Sequence, residues 1–413
     1  MANIKPFKAV RPKENMAQKI AALPYDVYSR AEAKKVVKGN PDLFLNIDRP
    51  ETQFDEATDM YAPFVYDKAK DMLNAMIAQN KLIQEETDCY YLYELTMEGR
   101  VQTGIVACES IDDYLNDVVK KHENTREEKE LDRVNHVDIC SAQTGPIFLA
   151  YHAKKELTDF VENRKRKQAI YDFVSEDSIR HRIFVIDNPT DIAFIGSEFE
   201  KMEHVYIADG HHRAASAVRV GMKRRNSHAT YSGEEEFNYF LAVLFPDQEL
   251  NIFDYNRVVK DLNGLSEEVF LDKVKEVAKV QVIKQPVERP KKKGEFLIFM
   301  ADTWYQCEFK EFCNTSDSVK GLDVSLLQDY ILEPILGIKD PKTNSRIDFV
   351  GGIRGLKGLE ERVHKDCAVA FAMHPTSMEE LFLVADDNKL MPPKSTWFEP
   401  KLRSGLFIHK IEE

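Results

Sequence analysis

The chain is organised around residues 205–218, VYIADGHHRAASAV. Its first four residues are mostly apolar and predict a short buried strand, Asp209-Gly210 breaks that strand, and the alanine-rich run that follows predicts a helix. A strand therefore passes into a helix through one tight turn. The first backbone N–H groups of a helix have no intrahelical partner, so an anion can bind at such a turn.

The side chains at this turn favour a phosphate as the anion. Gly210 has no Cβ to keep a phosphate away from the backbone, and the planar guanidinium of Arg213 suits two phosphate oxygens. Asp209 is the expected N-cap, and it could instead hold a metal ion or orient a neighbouring histidine. The alternative is an ordinary surface turn, because Asp-Gly before a helix is common turn chemistry.

The two best-known phosphate motifs are missing from the sequence. It contains neither a G-x-x-x-x-G-K run followed by Ser or Thr nor a G-x-G-x-x-G run. These absences argue against the P-loop and Rossmann folds.

Length and composition describe a soluble globular protein. A chain of 413 residues predicts two domains, and the change of pattern near Pro246-Asp247 divides them at 1–250 and 251–413. The net charge of −13 disfavours nucleic acid and anionic membrane as partners. The six cysteines form no C-x-x-C pair, and no apolar leader or membrane-length run is present, so we expect a cytoplasmic protein.

Several elements can be predicted from their patterns. Residues 56–80 predict a long amphipathic helix, and the strands 90–96 and 102–108 predict a hairpin around Glu98-Gly99. The helix that follows Arg213 is expected to end at Gly221, before a polar loop.

Three other polar segments are assigned from composition alone. Tyr25-Asp26 and Asn46-Ile47-Asp48-Arg49 are interpreted mainly as loops. In the C-terminal tail, Lys394, Lys401 and Arg403 either reach back toward an anion or keep the arm soluble, and stiffening by prolines and aromatics favours the first.

A second constellation of polar residues lies at 122–126, HENTR, inside a highly charged run. Such a run usually forms a solvated helix face. Asn and Thr compete with the backbone for hydrogen bonds, however, so these residues are expected to precede a helix rather than lie within it. On that interpretation they converge on a polyanion.

With both motifs placed, the chain resembles a bacterial and archaeal family known as domain of unknown function 1015. The similar segments are 207–213 (IADGHHR), 122–125 (HENT), 24–27 (PYDV), 256–259 (NRVV) and 400–406 (PKLRSGL). That family looks related to the ParB/sulfiredoxin superfamily, whose strand-turn-helix carries a Gly-x-x-Arg-type motif that holds nucleotide phosphates. Gly210 to Arg213 match that motif. His211 and His212 stand where sulfiredoxins have a cysteine. The chain is therefore not expected to be a sulfinic-acid reductase.

The resemblance implies a fold class and a domain division. It implies an α+β protein with a mixed-sheet, ParB/sulfiredoxin-like nucleotide-binding domain over 1–250. A second α+β domain, ending in a terminal arm, would then cover 251–413.

The resemblance also implies a function, because members of the superfamily bind ATP, ADP or CTP and some resemble free-serine kinases. The expected activity is a nucleotide-dependent small-molecule phosphotransferase that uses Mg²⁺ and ATP or ADP and acts on free serine or phosphoserine. Glu123 or Asp209 would accept the proton of the acceptor hydroxyl, and a carboxylate or Asn124 would help to place Mg²⁺. The catalytic candidates are Glu123, Asp209, His211 and His212; the nucleotide- and phosphate-binding candidates are Gly210, Arg213, His122, Asn124, Thr125 and Arg126.

Two other functions stay open at this point. One is a nucleotide-gated switch protein with little chemistry of its own. The other is a metal-dependent hydrolase built on His122, His136, His211 and His212. It is disfavoured because adjacent histidines point in different directions on a helix and no H-E-x-x-H spacing exists.

Overall fold

The protein is described here from a computed structural model that covers residues 1–284 and 289–412. The strands are β1 Ile4–Lys5, β2 Val10–Pro12, β3 Leu82–Gln84, β4 Tyr90–Met97, β5 Arg100–Ser110, β6 Val119–Lys120, β7 Ala142–Gln143, β8 Ile147–Tyr151, β9 Tyr171–Val174, β10 Arg180–Ile186, β11 Val205–Asp209, β12 Tyr239–Pro246, β13 Ile252–Phe253, β14 Tyr255–Val259, β15 Ala278–Val282, β16 Glu295–Met300, β17 Thr303–Phe309, β18 Ile347–Gly351, β19 Val369–Met373, β20 Trp397–Phe398 and β21 His409–Lys410.

The α-helices follow in the same chain order. They are α1 Ala17–Ile20, α2 Arg30–Val37, α3 Leu45–Asp48, α4 Pro63–Ala78, α5 Ile111–Leu115, α6 Glu127–Cys140, α7 Lys155–Arg164, α8 Pro189–Phe199, α9 His211–Ser227, α10 Glu267–Val277, α11 Asp323–Leu327, α12 Gly355–Lys365 and α13 Met378–Asp386. None of the helices in the described residues is both long enough and apolar enough to cross a membrane.

The first compact unit consists of Met1–Leu250 and Pro400–Glu413. Its main sheet has nine strands in the order β6-β11-β8-β12-β5-β4-β10-β9, with β1 added beside β5. The sheet is mixed, since β11 runs parallel to β6 but antiparallel to β8. Strand β11 is buried from Val205 to Ala208, as its apolar sequence predicts. The turn that follows it therefore starts from a fixed point of the core.

The hairpin of β4 and β5 is confirmed, with Met97 paired to Arg100 around the predicted turn. Helix α4 is shorter than the predicted 56–80, because it begins at Pro63 and ends at Ala78. Proline suits the first position of a helix, where its missing N–H has no intrahelical partner anyway.

The predicted end of α9 at Gly221 is wrong, since the helix continues to Ser227. A Cβ on Gly221 would lie 2.4 Å from the carbonyl oxygen of Phe237 and 2.7 Å from Ile111 Cδ1. Gly221 is therefore a close-packing position inside the helix. A glycine of that kind cannot be told from a helix stop by sequence alone.

The second compact unit, Asn251–Glu399, contains a six-stranded sheet in the order β15-β17-β16-β19-β14-β18. Every neighbouring pair in this sheet is antiparallel. Phe296, Ile298 and Phe371 lie in its main apolar core.

The terminal arm lies in the first unit, although the sequence predicted it as the end of the second domain. Its strand β21 pairs with β7, and isolated bridges join Ile408 to Val10 and Ser404 to Ala22. Leu406, Phe407 and Ile408 are fully buried. This apolar run is stabilised by packing against a core whose residues lie far away in the sequence.

Replacing Gly405 with alanine is expected to lower the free energy of unfolding by about 3 kcal/mol, because backbone strain and overpacking act together. Gly405 has φ +80°, and a Cβ there would lie 2.4 Å from Phe44 Cγ. Gly39 is the matched control, because its φ is +84° and nothing lies within 4 Å of the added Cβ. Urea unfolding should show a loss of only about 1 kcal/mol for Gly39→Ala. Equal losses for the two variants would contradict the packing of the arm against Phe44.

Candidate functional site

The turn between β11 and α9 is formed by Gly210, which has φ 96° and ψ 29°. This left-handed conformation is open to glycine without a steric cost. The first intrahelical bond runs from the N–H of Ala214 to the carbonyl of Gly210 at 3.0 Å. The N–H groups of residues 211–213 consequently have no partner inside the helix.

The predicted N-cap role of Asp209 is wrong, because Gly210 occupies that position and no side chain caps the helix. The Asp209 carboxylate lies 3.3 Å from Lys401 Nζ and 3.7 Å from Arg213 Nη2. Burial on its own would raise the pKa of Asp209, but the charges of Lys401 and Arg213 outweigh it and lower the pKa to about 2. Asp209 is thus a fixed negative charge beside the turn.

His211 is the first residue of α9 and is buried, with its ring packed edge-on against that of His122 at 4.5 Å between centroids. Its Nδ1 lies 3.9 Å from Glu123 Oε2, whereas its buried Nε2 has no hydrogen-bond partner among the described residues. Burial lowers the pKa of His122 to about 4 and, together with the neighbouring His122, that of His211 well below its usual value. Both rings are therefore neutral at pH 7.

The segment 122–126 lies against the start of α9 and is connected to it by hydrogen bonds. The backbone N–H of Arg126 donates to His212 Nε2 at 3.0 Å, so His212 carries its own proton on Nδ1. Thr125 donates to Glu130 Oε2 at 2.8 Å, at the start of α6. As predicted, these residues precede a helix rather than lie within one.

All ten candidate residues from the sequence meet at this one place. Five belong to the turn and helix start (Asp209, Gly210, His211, His212, Arg213) and five to the segment that covers it (His122, Glu123, Asn124, Thr125, Arg126). Of the covering segment, Glu123, Asn124 and Arg126 are exposed. Anionic groups that arrive from solvent would meet these exposed side chains first.

A cavity partly open to solvent lies beside Arg213. Its polar lining includes two arginines, Arg133 and Arg213, and it also holds hydroxyl, carboxyl and imidazole groups. Arg133 stacks on the Tyr25 ring at 4.1 Å and donates to the Asp48 carbonyl at 3.2 Å. The whole polar lining is Tyr25, Asp48, Arg133, His136, Gln143, Thr144, Arg213 and Ser404.

Arg213 connects the turn to the cavity. Its guanidinium folds over Gly210, where an added Cβ would lie 3.1 Å from Nη2, and Nη1 donates to the Pro146 carbonyl. Gly145 leaves room for the side chains of Ser404 and Arg213. A Cβ at this position would lie 3.0 Å from Ser404 Oγ and 3.7 Å from Arg213 Nη1. Arg213 thus lies over the Gly210 turn and also lines the cavity.

Sequence reasoning missed most of the cavity. Tyr25 and Asp48 were interpreted as loop residues, and Arg133 lay in a run assigned to solvent. Arg133 is buried, and its pKa is raised because the charges of Asp132 and Tyr25 outweigh burial. The sequence feature that could have pointed to the cavity was the PYDV segment shared with the family. No chemical role had been assigned to that segment.

The two lysines and the arginine of the tail contact different parts of the protein. Lys401 reaches the Asp209 carboxylate. Arg403 instead contacts Asp177 and Ser175 in the first unit. Lys394 lies in the second unit, with Nζ 5.4 Å from the centre of the Tyr255 ring.

The four histidines of the hydrolase alternative do not form a metal centre. His136 lies apart on α6, with Nε2 at 2.9 Å from the Ile47 carbonyl. Across residues 1–284 and 289–412 there is no group of three or more His, Cys, Asp or Glu that could hold a metal ion.

Comparison with known proteins adds a family to this geometry. The family model described as "Protein of unknown function (DUF1015)" matches residues 4–325. The chain belongs to that family. A comparison with curated proteins finds no match.

Several solved structures resemble parts of this DUF1015 chain. A free serine kinase in complex with AMP shares 12% identity over 71% of this chain and 86% of its own, with a TM-score of 0.36. SbnI with a C-terminal truncation, from Staphylococcus aureus, shares 10% identity over 71% of this chain and 82% of its own, with a TM-score of 0.37. A conserved hypothetical protein from Pyrococcus furiosus shares 12% identity over 73% and 93%, with a TM-score of 0.34.

The buried histidines predict an acid-sensitive stability. A histidine whose folded pKa lies below its unfolded pKa binds protons mainly in the unfolded state, so stability falls as pH falls from about 6.5 toward 4. For His122 alone the loss between about pH 7 and about pH 4.5 is ~2.5 kcal/mol. Urea unfolding of His122→Asn should show a pH dependence smaller by that amount. His152→Asn, at an exposed histidine, is the control and should keep the full dependence.

Proposed function

We propose that the protein is a nucleotide-dependent phosphotransferase that acts on a small molecule bearing a hydroxyl group. The observation that carries the proposal is the Gly210 turn, where three helix N–H groups, Arg213 and a carboxylate-bearing segment meet. Phosphoryl transfer depends on positioning and charge neutralisation, which these groups supply. Free serine is the acceptor implied by the sequence resemblance, and phosphoserine would be the phosphoryl donor in the reverse direction. The ParB/sulfiredoxin-like assignment is part of the same proposal.

The residues of the turn fit a nucleotide polyphosphate. Gly210 lacks the Cβ that would fill the space below Arg213, and the buried Nε2 of His211 lacks a partner among the described residues. The N–H groups at an uncapped helix start are suited to a ligand with many hydrogen-bond acceptors. The N–H groups of residues 211–213 and the guanidinium of Arg213 would hold the phosphates.

In this proposal Mg²⁺ would be held partly by the phosphates, which is its usual mode in kinases. Asp209 is ionised down to a pH of about 2 and supplies a fixed negative charge for the ion. The exposed Asn124 would supply its amide oxygen as a second, neutral ligand. When bound, Mg²⁺ would neutralise charge on the phosphate oxygens.

Glu123 suits the role of general base better than Asp209. Asp209 is paired with Lys401 and Arg213, and a carboxylate with a pKa of about 2 is a weak proton acceptor. The Glu123 side chain is 53% exposed and lies 3.9 Å from His211, on the solvent side of the turn. It can accept the proton of an acceptor hydroxyl and release it to water.

The cavity beyond Arg213 is the proposed acceptor pocket. The two arginines and three hydroxyl groups of the lining would bind a small anionic and hydroxylated molecule. Arg213 would contact the acceptor on one side and the transferred phosphoryl group on the other. This double contact would hold the two substrates in reacting geometry.

A nucleotide-gated switch is the second candidate function. Arg213 already donates to the Pro146 carbonyl, and the Arg126 N–H already donates to His212. A phosphate that binds here must replace some of these bonds, and the 122–126 segment would respond. Tight nucleotide binding without transfer of label to any amino acid would favour this candidate.

Titration calorimetry with ATP, ADP and CTP tests the proposal directly. We expect binding of at least one nucleotide, and Arg213→Ala should weaken it about 10- to 100-fold, since a charge-assisted bond contributes about 1.5–3 kcal/mol. Arg219→Ala is the matched control, because this arginine lies on the same helix but pairs with Glu130 at the surface. If none of the nucleotides binds at millimolar concentration, the proposal is wrong.

A further inference from the structure

His211 has one ring nitrogen positioned by a carboxylate and one without a partner. Nδ1 lies 3.9 Å from Glu123 Oε2, and the buried Nε2 has no hydrogen-bond partner among the described residues, although the side chain is only 5% exposed. A buried polar atom without a partner is costly, so its presence at an uncapped helix start calls for an explanation by function.

The position of Glu123 determines which nitrogen of His211 carries the proton. A carboxylate near Nδ1 favours the proton at Nδ1, which leaves the lone pair on Nε2. An imidazole whose far nitrogen faces a carboxylate has the arrangement of an activated nucleophile.

We propose that His211 Nε2 accepts the phosphoryl group from the nucleotide before it passes to the acceptor, so that transfer proceeds through a phosphohistidine. This inference rests on the proposed function and specifies its route. It makes the reaction a double displacement rather than a direct transfer between the two substrates.

The two steps balance as follows. In the first, the Nε2 lone pair forms a bond to the terminal phosphorus of a nucleoside tri- or diphosphate, and the bond from that phosphorus to the bridging oxygen breaks toward the departing nucleotide. The Nδ1 proton stays on the ring, whose positive charge is balanced by the added phosphoryl group. In the second, the acceptor hydroxyl oxygen attacks the phosphorus, the P–N bond breaks toward Nε2, and the hydroxyl proton moves to Glu123.

Two other nucleophilic side chains at the turn, those of His212 and Asp209, are already engaged. His212 Nε2 accepts the Arg126 N–H at 3.0 Å, and the Asp209 carboxylate is paired with Lys401 and Arg213. The N–H groups of residues 211–213 lie on the same first turn of α9 as His211. The phosphoryl oxygens would be bound there while the phosphorus faces Nε2.

His211 is covered by His122 and by the segment that follows it. The ring of His122 contacts it edge-on, while Glu123, Asn124 and Arg126 are exposed. Phosphorylation therefore requires the 122–126 segment to move away from α9. The Arg126-to-His212 hydrogen bond is the contact that would open.

Labelling of the full chain tests the phosphohistidine. The protein is incubated with Mg²⁺ and either [γ-³²P]ATP or [β-³²P]ADP, without an acceptor, and is denatured at alkaline pH. We expect protein-bound label that is stable to alkali and lost in acid, lost in His211→Gln and retained in His152→Gln, whose histidine lies outside the site. The wild-type protein should also exchange labelled nucleotide product into nucleotide substrate without acceptor, a measurement that needs no variant.

The outcomes separate this inference from the proposed function. If the protein transfers phosphate to serine but shows neither bound label nor exchange, transfer is direct, and the phosphohistidine is wrong while the phosphotransferase stands. Transfer by His211→Gln within about threefold of the wild-type rate has the same meaning. If the protein binds no nucleotide at all, both proposals fail.

Discussion

Replacing Glu123 with glutamine is expected to lower phosphoryl transfer about 10²- to 10⁴-fold, the usual contribution of a general base. The amide keeps the size and polarity of the side chain but cannot accept the proton of the acceptor hydroxyl. Because the phosphates would be held by Gly210 to Arg213, the nucleotide dissociation constant should change by less than about threefold. Loss of turnover with binding retained is therefore the expected pattern.

The matched control for this variant is Glu127→Gln. Glu127 is an exposed carboxylate that begins α6, four residues beyond Glu123. It should leave both turnover and binding unchanged. Equal turnover for Glu123→Gln and Glu127→Gln would show that Glu123 is not the base. A parallel loss of nucleotide binding in Glu123→Gln would instead assign Glu123 to the binding of the nucleotide or its Mg²⁺.

Replacing Gly210 with alanine is expected to weaken nucleotide binding at least about 100-fold, equal to about 3 kcal/mol or two charge-assisted hydrogen bonds. The residue has φ 96°, which is strained for alanine, and its Cβ would lie 3.1–3.2 Å from the guanidinium of Arg213. We expect the backbone strain and the close contact with Arg213 to be relieved by a local shift. That shift would redirect the helix N–H groups and displace Arg213. Calorimetric titration with ATP and ADP measures the loss.

Gly233→Ala is the control that separates strain from site geometry. Gly233 has φ +94°, and nothing lies within 4 Å of its added Cβ. It should lose about 1 kcal/mol of stability from backbone strain and no nucleotide affinity. If both variants bind nucleotide as tightly as the wild type, the Gly210 turn is not the phosphate site, and the proposed function loses its main support.

The effect of the terminal arm on the site follows from one ion pair. Lys401 lies 192 positions from Asp209 in the sequence, yet its Nζ lies 3.3 Å from the Asp209 carboxylate. Together with Arg213 it keeps Asp209 ionised, and Ser404 of the same arm lines the cavity. The arm therefore shapes the electrostatics of the proposed Mg²⁺ position although it lies at the other end of the chain.

Local pattern was sufficient for the core of the candidate site. The apolar run, the Asp-Gly break and the alanine-rich run of residues 205–218 give a strand, a turn and a helix, as predicted. The exclusion of residues 122–126 from a helix interior followed from the backbone competition of Asn and Thr, and α6 begins at Glu127. Such features depend on neighbours within a few residues, which is why they can be predicted without a fold.

Errors arose where a residue's role depends on distant partners. Gly221 was predicted to end α9, but it serves close packing against Phe237 and Ile111. Asp209 was predicted to cap the helix, but Lys401 and Arg213 pair with it instead. In both cases the local chemistry allowed two roles, and contacts from elsewhere in the first unit selected one.

By itself, the sequence determined that a strand-turn-helix with Gly210, two histidines and Arg213 exists, because hydrophobic period and backbone freedom are local properties. Only the tertiary structure decided that Tyr25, Asp48, Arg133 and Ser404 share one cavity with Arg213. It also decided that the arm returns to the first unit. These arrangements follow from the burial of apolar surface across the whole unit, a sum over many distant contacts that no single segment specifies.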